Sequence, residues 1–178
     1  MWAEFFQSFQ EAIFAALGTL GFACIAKPPI KTVITTAFLA AIVFGLRYYL
    51  LYFLSFNIVV ATFIASLFVG FSALFFARML RVPAEIISLP AVIPMIPGMY
   101  AYQTILSFEA FFQNKDANKA VVYLVEMMKN LLTTTFITLA IAIGITLSLF
   151  VFYEQSLMMT RSLKHDKRSF WKFLKSEF

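Results

Sequence analysis

Three prolines and a glycine lie within one hydrophobic stretch of the chain, at Pro90, Pro94, Pro97 and Gly98. Each proline lacks a backbone N–H donor and disfavours the helical conformation of the residue before it, so an undistorted helix cannot contain all three. Because lipid offers no partners, the freed carbonyl groups must face protein, water or a ligand. The spacing predicts a membrane helix whose broken backbone contacts a polar substrate. The alternative is a proline kink that only shapes helix packing.

Two opposite charges form a second candidate site. Glu11 lies 16 residues before Lys27, and Arg47 lies 16 residues after Lys31. At about 1.5 Å per residue both lie roughly 24 Å from the same boundary, inside a hydrocarbon core of about 30 Å. An unpaired charge there is costly, so we expect Glu11 and Arg47 to pair or to face a water-filled path. One interpretation is that Arg47 attracts a substrate carboxylate, with Glu11 as its partner at rest. The alternative is that Arg47 extends to the headgroups beside the tyrosines that follow it.

The chain contains few side chains that could take part in catalysis. The chain has one cysteine, Cys24, and one histidine, His165, and its aspartates are Asp116 and Asp166. A zinc cluster or a Ser-His-Asp triad within this chain needs more ligands or partners than these. We therefore expect no enzymatic activity, no metal site and no cofactor.

The elements that carry these residues follow from composition. Of 178 residues, 62% are hydrophobic and 13% are charged, which excludes an ordinary water-soluble globule. A membrane helix needs about 20 apolar residues. The charge-free runs predict an all-α membrane domain over residues 1–153, with five transmembrane helices at 5–26, 30–54, 57–80, 83–112 and about 129–153. Ser55 and Asn57 supply the turn before the third helix, and counting from Pro83 places the break of the fourth near mid-bilayer.

The distribution of lysine and arginine predicts the orientation. Most of the basic residues fall on one side of the predicted helices, and the other side receives three lysines together with three acidic residues. The more basic side is therefore expected to be cytoplasmic. The N-terminus is then outside and the C-terminus inside. The basic residues expected on the cytoplasmic side are Lys27, Lys31, Arg78, Arg81 and the six that occur within 161–178.

The segment 154–178 is predicted to form a cytoplasmic tail. It interleaves basic and aromatic residues, which is typical of an amphipathic helix that lies along the inner membrane interface and contacts anionic lipid. The alternative is a solvated positive end that only fixes the topology. Neither interpretation makes the tail a substrate site, and positive charge confined to a short tail beside a hydrophobic body does not favour nucleic acid.

Small residues recur on two predicted helices. Ser66 and Gly70 on the third, and Ala140 and Gly144 on the fifth, are each four residues apart and so share one helix face. Such faces let helix backbones approach closely, and we interpret them as packing surfaces.

Four polar residues form the remaining candidate site. Tyr102 and Gln103 follow the break, and Asn130 and Thr133 lie near the outer end of the fifth predicted helix. We expect them to complete a polar path beside the break. The alternative for the threonine is a hydrogen bond to a carbonyl of its own helix.

Three stretches carry a recognisable pattern: 61–70 (ATFIASLFVG), 91–102 (AVIPMIPGMYAY) and 130–133 (NLLT). Together they resemble the threonine/serine exporter family, in particular its five-helix small-subunit type, which corresponds to the C-terminal half of fused members. The resemblance implies a bacterial inner-membrane protein that works with a related five-helix large subunit. It implies export of threonine and serine or, in split pairs, of a dicarboxylate such as succinate. Asn130 and Thr133 match the family pattern.

These observations predict a subunit of a secondary transporter that exports a small carboxylate-bearing metabolite by alternating access around the break. Two alternatives stay open, namely a structural or assembly membrane protein and a homomeric channel. A scaffold should tolerate Pro94→Ala and Pro97→Ala, whereas a transporter should lose flux while still folding.

Overall fold

The computed structural model describes residues 2–26, 28–114 and 116–151, with side chains from Gln10 onward apart from those of Glu11, Cys24 and Ala26. These residues form six α-helices and one 3₁₀ turn and contain no strand. The 3₁₀ turn, Ile93–Met95, directly follows the fourth helix. The helices are α1 (Trp2–Ala26), α2 (Ile30–Tyr52), α3 (Ile58–Leu80), α4 (Glu85–Val92), α5 (Gly98–Gln113) and α6 (Ala117–Val151).

Short connections make the first three helices antiparallel neighbours. Helix α1 packs along α2, and α2 packs along α3. Between α2 and α3, Ser55 adopts a left-handed φ of 52° and Asn57 caps α3, its side chain accepting a hydrogen bond from Val59 N–H at 3.0 Å. An asparagine at this position satisfies one of the free N–H groups of the helix start. The two residues from which the sequence predicts a turn therefore both lie in the connection between α2 and α3, where Asn57 begins the next helix.

Helices α3 and α6 form the most extensive helix pair of the described chain. Ser66 Oγ donates to a backbone carbonyl of α6 and Ser148 Oγ to a backbone carbonyl of α3, each at 3.1 Å. A Cβ on Gly144 would overlap Ser66 Oγ, and a Cβ on Gly70 would overlap the Ser148 side chain. Both serine–glycine pairs share the same offset along the chain, so the helices run parallel with their backbones in close approach.

The core lies between α2, α3, α4 and the C-terminal half of α6. Helix α4 and the 3₁₀ turn contribute Ile87 and Met95, so this short segment is a core element. The largest fully buried hydrophobic side chains are Leu39, Ile87, Met95, Ile137, Val43 and Val69.

Helix α5 and the first part of α6 extend away from this core. Ser107 is the one buried residue of α5, and none is buried in 117–136. The parallel register places Ile58, at the start of α3, level with Phe136, and both residues line one cavity. About 19 residues of α6 precede that level, so at about 1.5 Å per residue they extend about 28 Å past the start of α3. We call α5 together with residues 117–136 the arm.

Three helices are long and apolar enough to cross a membrane, namely α2, α3 and α6. Two shorter apolar helical segments, Ala12–Ala23 and Glu85–Met95, accompany them. The chain is therefore an all-α membrane protein, as the composition predicts.

The helix boundaries differ from the sequence prediction at the arm. The predicted fifth helix starts at about residue 129, whereas α6 begins at Ala117. Asp116 accounts for the early start because its side chain accepts a hydrogen bond from Asn118 N–H at 3.1 Å, as an N-cap does. The charges of 117–129 favoured a loop, yet alanine, leucine, methionine, lysine and glutamate are good helix formers. The predicted domain boundary at 153 and the tail helix of 154–178 lie outside the described residues.

Candidate functional site

The chain passes from α4 to α5 through two consecutive tight turns. Ile96 N–H donates to Ile93 O at 3.1 Å and closes the 3₁₀ turn. Pro97 then has φ −79° and ψ 57°, and Gly98 N–H donates to Ile96 O at 2.8 Å, which is an inverse γ-turn. Pro97 has no N–H to donate, and the N–H groups of Ile96 and Gly98 donate within these turns instead of to carbonyls four residues earlier. The helical backbone is interrupted at this point.

The other residues of the proline segment have separate positions. Pro90 is buried inside α4, where it leaves the carbonyl of Ile86 without its usual helical donor. Pro94 lies within the 3₁₀ turn. Gly98 has no positive φ and nothing within 4 Å of its Cβ position, so neither backbone conformation nor space demands a glycine. The absence of a side chain instead leaves the first turn of α5 uncovered.

An apolar cavity of about 340 Å³ lies beside the 3₁₀ turn, between α1 and α2. Its walls include Phe44 and Pro94. The guanidinium carbon of the half-buried Arg47 lies 6.0 Å from the centroid of the Phe44 ring, within cation–π range. Arg47 is therefore held at the edge of this cavity. The Glu11 side chain lies outside the described residues, so the Glu11–Arg47 pair stays a prediction.

A polar crevice follows the break, between α5, α6 and the start of α3. It consists of two adjoining cavities of about 490 and 620 Å³ that share Gln103, Lys129 and Asn130. We call it the α5–α6 crevice. Further polar residues on its walls are Asn57, Tyr100, Ser107, Tyr123, Glu126 and Thr133.

Three residues of the predicted polar path come together in this crevice, namely Gln103, Asn130 and Thr133. Tyr102 is 58% exposed and lies on another face of α5. The Thr133 hydroxyl donates to the carbonyl of Lys129 at 2.8 Å, the hydrogen bond within its own helix that was the alternative for this residue. The Thr133 hydroxyl hydrogen is therefore already used within the helix, whereas the side-chain amides of Gln103 and Asn130 can donate to a ligand.

Sequence reasoning misses Glu126 and Lys129 as site residues, because it counts both among the charges that mark the outer side of the membrane. In the structure both line the crevice. The spacing of Tyr123, Glu126, Asn130 and Thr133, at intervals of three and four, is the signal that places these residues on one helix face.

The crevice brings a positively charged and a negatively charged side chain to one surface. The Lys129 ammonium and the amides of Gln103 and Asn130 can donate to a carboxylate, and the Glu126 carboxylate can accept from an ammonium group. The described residues contain no group of three His, Cys, Asp or Glu that could hold a metal ion. The arrangement suits reversible binding of a small polar molecule.

Comparison with known proteins gives a family match that covers most of the chain. The model of the Threonine/Serine exporter (ThrE) family matches residues 11–151. An uncharacterized protein of Haemophilus influenzae is 32% identical over 147 residues, which make up 82% of this chain and 48% of that protein. The chain thus spans about half the length of this curated relative. No solved structure matches this chain.

The family match runs from the first half of α1 through the break and the crevice to the end of α6. It confirms the resemblance seen in the three short stretches of the sequence. This chain belongs to the threonine/serine exporter family of membrane transporters.

Proposed function

We propose that this chain is one subunit of a secondary transporter that exports a small carboxylate-bearing metabolite, such as threonine, serine or a dicarboxylate like succinate. The observation that carries the proposal is the α5–α6 crevice, which opens directly after a backbone break in a chain of the exporter family. In the crevice, Lys129, Gln103 and Asn130 bind the carboxylate, and Arg47 attracts it beside the break. Proteins that transport polar solutes commonly expose broken helices to the substrate in this way.

The break is the joint of the transport cycle. Helix α4 and the 3₁₀ turn are fixed in the core through Ile87 and Met95, whereas α5 packs chiefly on α6. Alternating access requires two packed bodies that move relative to each other, with a few residues absorbing the change. Pro94 to Gly98 connect the two bodies and supply those residues.

A related five-helix large subunit completes the site. This chain spans about half the length of its Haemophilus relative, and its crevice is open to the surroundings. Binding sites for small molecules enclose most of the ligand surface. The partner is therefore expected to supply the missing wall of the crevice.

In the membrane, the proposed subunit crosses five times, through α1, α2, α3, the interrupted fourth span that runs from α4 into α5, and α6. The N-terminus lies outside and the C-terminus lies in the cytoplasm of a bacterial inner membrane, with the basic tail on the inner leaflet. Arg78 and Arg81, at the end of α3, lie on the cytoplasmic side in this orientation.

Efflux measurements test the proposal. Cells or proteoliposomes carrying this chain, the related subunit, or both are preloaded with labelled threonine, serine or succinate. We expect export of at least one of these solutes only when both chains are present. Unchanged efflux of all three after removal of either chain would contradict the proposal, and flux through this chain alone would favour a homomeric channel.

A further inference from the structure

Tyr100 is the hydrophobic residue of α5 that packs against the core. The other described residues of the core and of its half-buried rim belong to α2, α3, the segment 82–95 or α6. Tyr100 is half-buried, whereas the aromatic rings farther along α5, at Phe108 and Phe112, are 52% and 69% exposed. Helix α5 otherwise packs chiefly on α6. Tyr100 therefore attaches the start of α5 to the core.

Tyr100 lies in the first turn of α5, three residues after Pro97. The two tight turns of the break end at Gly98. Beyond them Ala101 N–H donates to Pro97 O at 3.1 Å, as in a regular helix. The Thr104 hydroxyl donates to Tyr100 O at 2.8 Å, one turn along the same helix. A change of backbone dihedral angles at the break therefore turns Tyr100 together with α5 and moves its ring relative to the core.

The same ring bounds the α5–α6 crevice. The larger of the two cavities is lined by Tyr100 together with Ile58 and Val59 of α3. All three residues also pack against the core. At this end the crevice stops at the edge of the core, where the contact between Tyr100 and the core closes it. A solute in the crevice can pass this end only when that contact opens.

A tyrosine suits a contact that closes and opens again. Its ring covers a large apolar area, and its hydroxyl can form hydrogen bonds with water or with a polar partner when the ring leaves the core. Packed interfaces are either formed or broken, because close-packed side chains do not deform continuously. A small turn of α5 at the break is thereby converted into an open or a closed end of the crevice.

We propose that Tyr100 is the gate of the α5–α6 crevice. Its ring seals the crevice against the core in this conformation and releases it when α5 turns about the break. The gate rests on the proposed transport function and deepens it, because it names the residue that couples the joint to the substrate path. The ring performs the gating, and the hydroxyl is not required for it.

Passive flux across a de-energised membrane tests the gate. Proteoliposomes with this chain and the related subunit are loaded with labelled threonine or succinate, and ionophores remove all ion gradients. Tyr100→Ala should raise the leak of at least one solute about tenfold, which corresponds to a loss of about 1.4 kcal/mol from the closed state. Tyr100→Phe keeps the ring and should leak at the wild-type rate. Phe112→Ala, which removes an exposed ring from the other end of α5, is the matched control and should also leak at that rate.

A gain of flux separates the gate from a merely structural contact, because a variant that only weakens folding loses flux. A wild-type leak in Tyr100→Ala of normal helical content would overturn the proposal. An increased leak in Tyr100→Phe would do so too, since the effect would then belong to the hydroxyl. The proposed function fails on a different result, namely the absence of gradient-driven export by the wild-type pair of subunits.

A reversible cross-link supplies a second test that does not depend on the stability of Tyr100→Ala. Cysteines are introduced as Tyr100→Cys and Ile58→Cys in a chain that carries Cys24→Ala, and a short thiol cross-linker that reduction cleaves joins them. The cross-link should stop export, and its cleavage should restore export. Phe112→Cys with Ile58→Cys is the matched control and should give no cross-link. Failure of the first pair to cross-link, or equal export before and after cleavage, would overturn the proposal.

Discussion

Ser66 of α3 lies directly against Gly144 of α6, where a Cβ would overlap the serine hydroxyl. The same hydroxyl shares its hydrogen between the carbonyl of Phe63 in its own helix, at 2.8 Å, and the carbonyl of Ala140 in α6, at 3.1 Å. Ser148 repeats the arrangement against Gly70 one turn further along. Lipid removes the hydrophobic drive between membrane helices, so close packing and interhelical hydrogen bonds hold them together. This double contact fixes α6 to the core and thereby positions both the crevice and the arm.

Replacing Gly144 should therefore destabilise the protein. Gly144→Ala forces the new methyl group into Ser66, and overpacking of this kind costs about 1–3 kcal/mol. Thermal unfolding of the purified protein in detergent measures the effect. Gly45→Ala is the matched control, because no atom lies within 4 Å of the Cβ position there. Equal unfolding temperatures for the two variants would contradict the close contact.

The complementary exchange tests the same contact from the other side. Combining Ser66→Gly with Gly144→Ser moves the side chain to the opposite helix and should recover part of the stability that Gly144→Ser loses alone. A double variant less stable than Gly144→Ser would show that the two positions do not compensate.

Local sequence patterns predict part of this contact and of the site, whereas features that depend on contacts between distant residues could not be predicted. The four-residue spacing of Ser66 and Gly70, and that of Ala140 and Gly144, is local and indicates a close-packing face on each helix. The sequence contains no signal for the offset between the two helices, because register depends on contacts between distant parts of the chain. The extension of the arm past α3 depends on that register and was not predictable.

The break could be predicted from the sequence, whereas the full set of crevice residues could not. Missing N–H groups at Pro94 and Pro97 are a property of the residues themselves, so the interruption of the helix follows from the sequence. Glu126 and Lys129 are charged, and charge in a membrane protein favours a loop. Their helical spacing was the weaker signal, and tertiary packing against α5 brings them into the crevice.

The γ-turn at Pro97 should be required for transport. Pro97→Ala restores an N–H group that can extend the helix across the joint, and we expect export to fall about tenfold, as for a shift of about 1.4 kcal/mol in the conformational equilibrium. Pro29→Ala, at the exposed start of α2, is the control and should export normally. The measurement is efflux at equal membrane abundance of the variants. Wild-type flux in Pro97→Ala would reduce the proline segment to a packing feature.

Arg47 should contribute to recognition of the carboxylate. Arg47→Gln removes a charged donor at the edge of the apolar cavity, and a charged hydrogen bond of about 1.5–3 kcal/mol corresponds to a loss of about tenfold or more in apparent substrate affinity. Arg47→Lys keeps the charge and should retain part of the affinity. Concentration dependence of transport in proteoliposomes measures this, with Lys119→Gln on the arm as the control. Unchanged affinity in Arg47→Gln would leave Arg47 as a headgroup anchor.

Glu126 should discriminate between substrate classes. Its carboxylate can bind the ammonium group of an amino acid, whereas a dicarboxylate has no such group and is repelled. Glu126→Gln is therefore expected to lower export of threonine and serine relative to succinate. Competition between the labelled solutes gives the ratio, and Glu109→Gln, on the exposed face of α5, serves as the control. An unchanged ratio would remove Glu126 from the binding surface.

The most direct test of the central claim compares two asparagines of the same helix. Asn130 lines both cavities of the crevice, whereas Asn118 is exposed near the start of α6. The same change, Asn→Leu, is made at each position, and efflux of the preloaded substrate is measured from cells with equal amounts of each variant in the membrane. We predict that Asn130→Leu lowers efflux about tenfold, through loss of a substrate hydrogen bond of about 1.5 kcal/mol, and that Asn118→Leu exports at the wild-type rate. Wild-type efflux in Asn130→Leu would contradict the claim that substrate passes through the α5–α6 crevice.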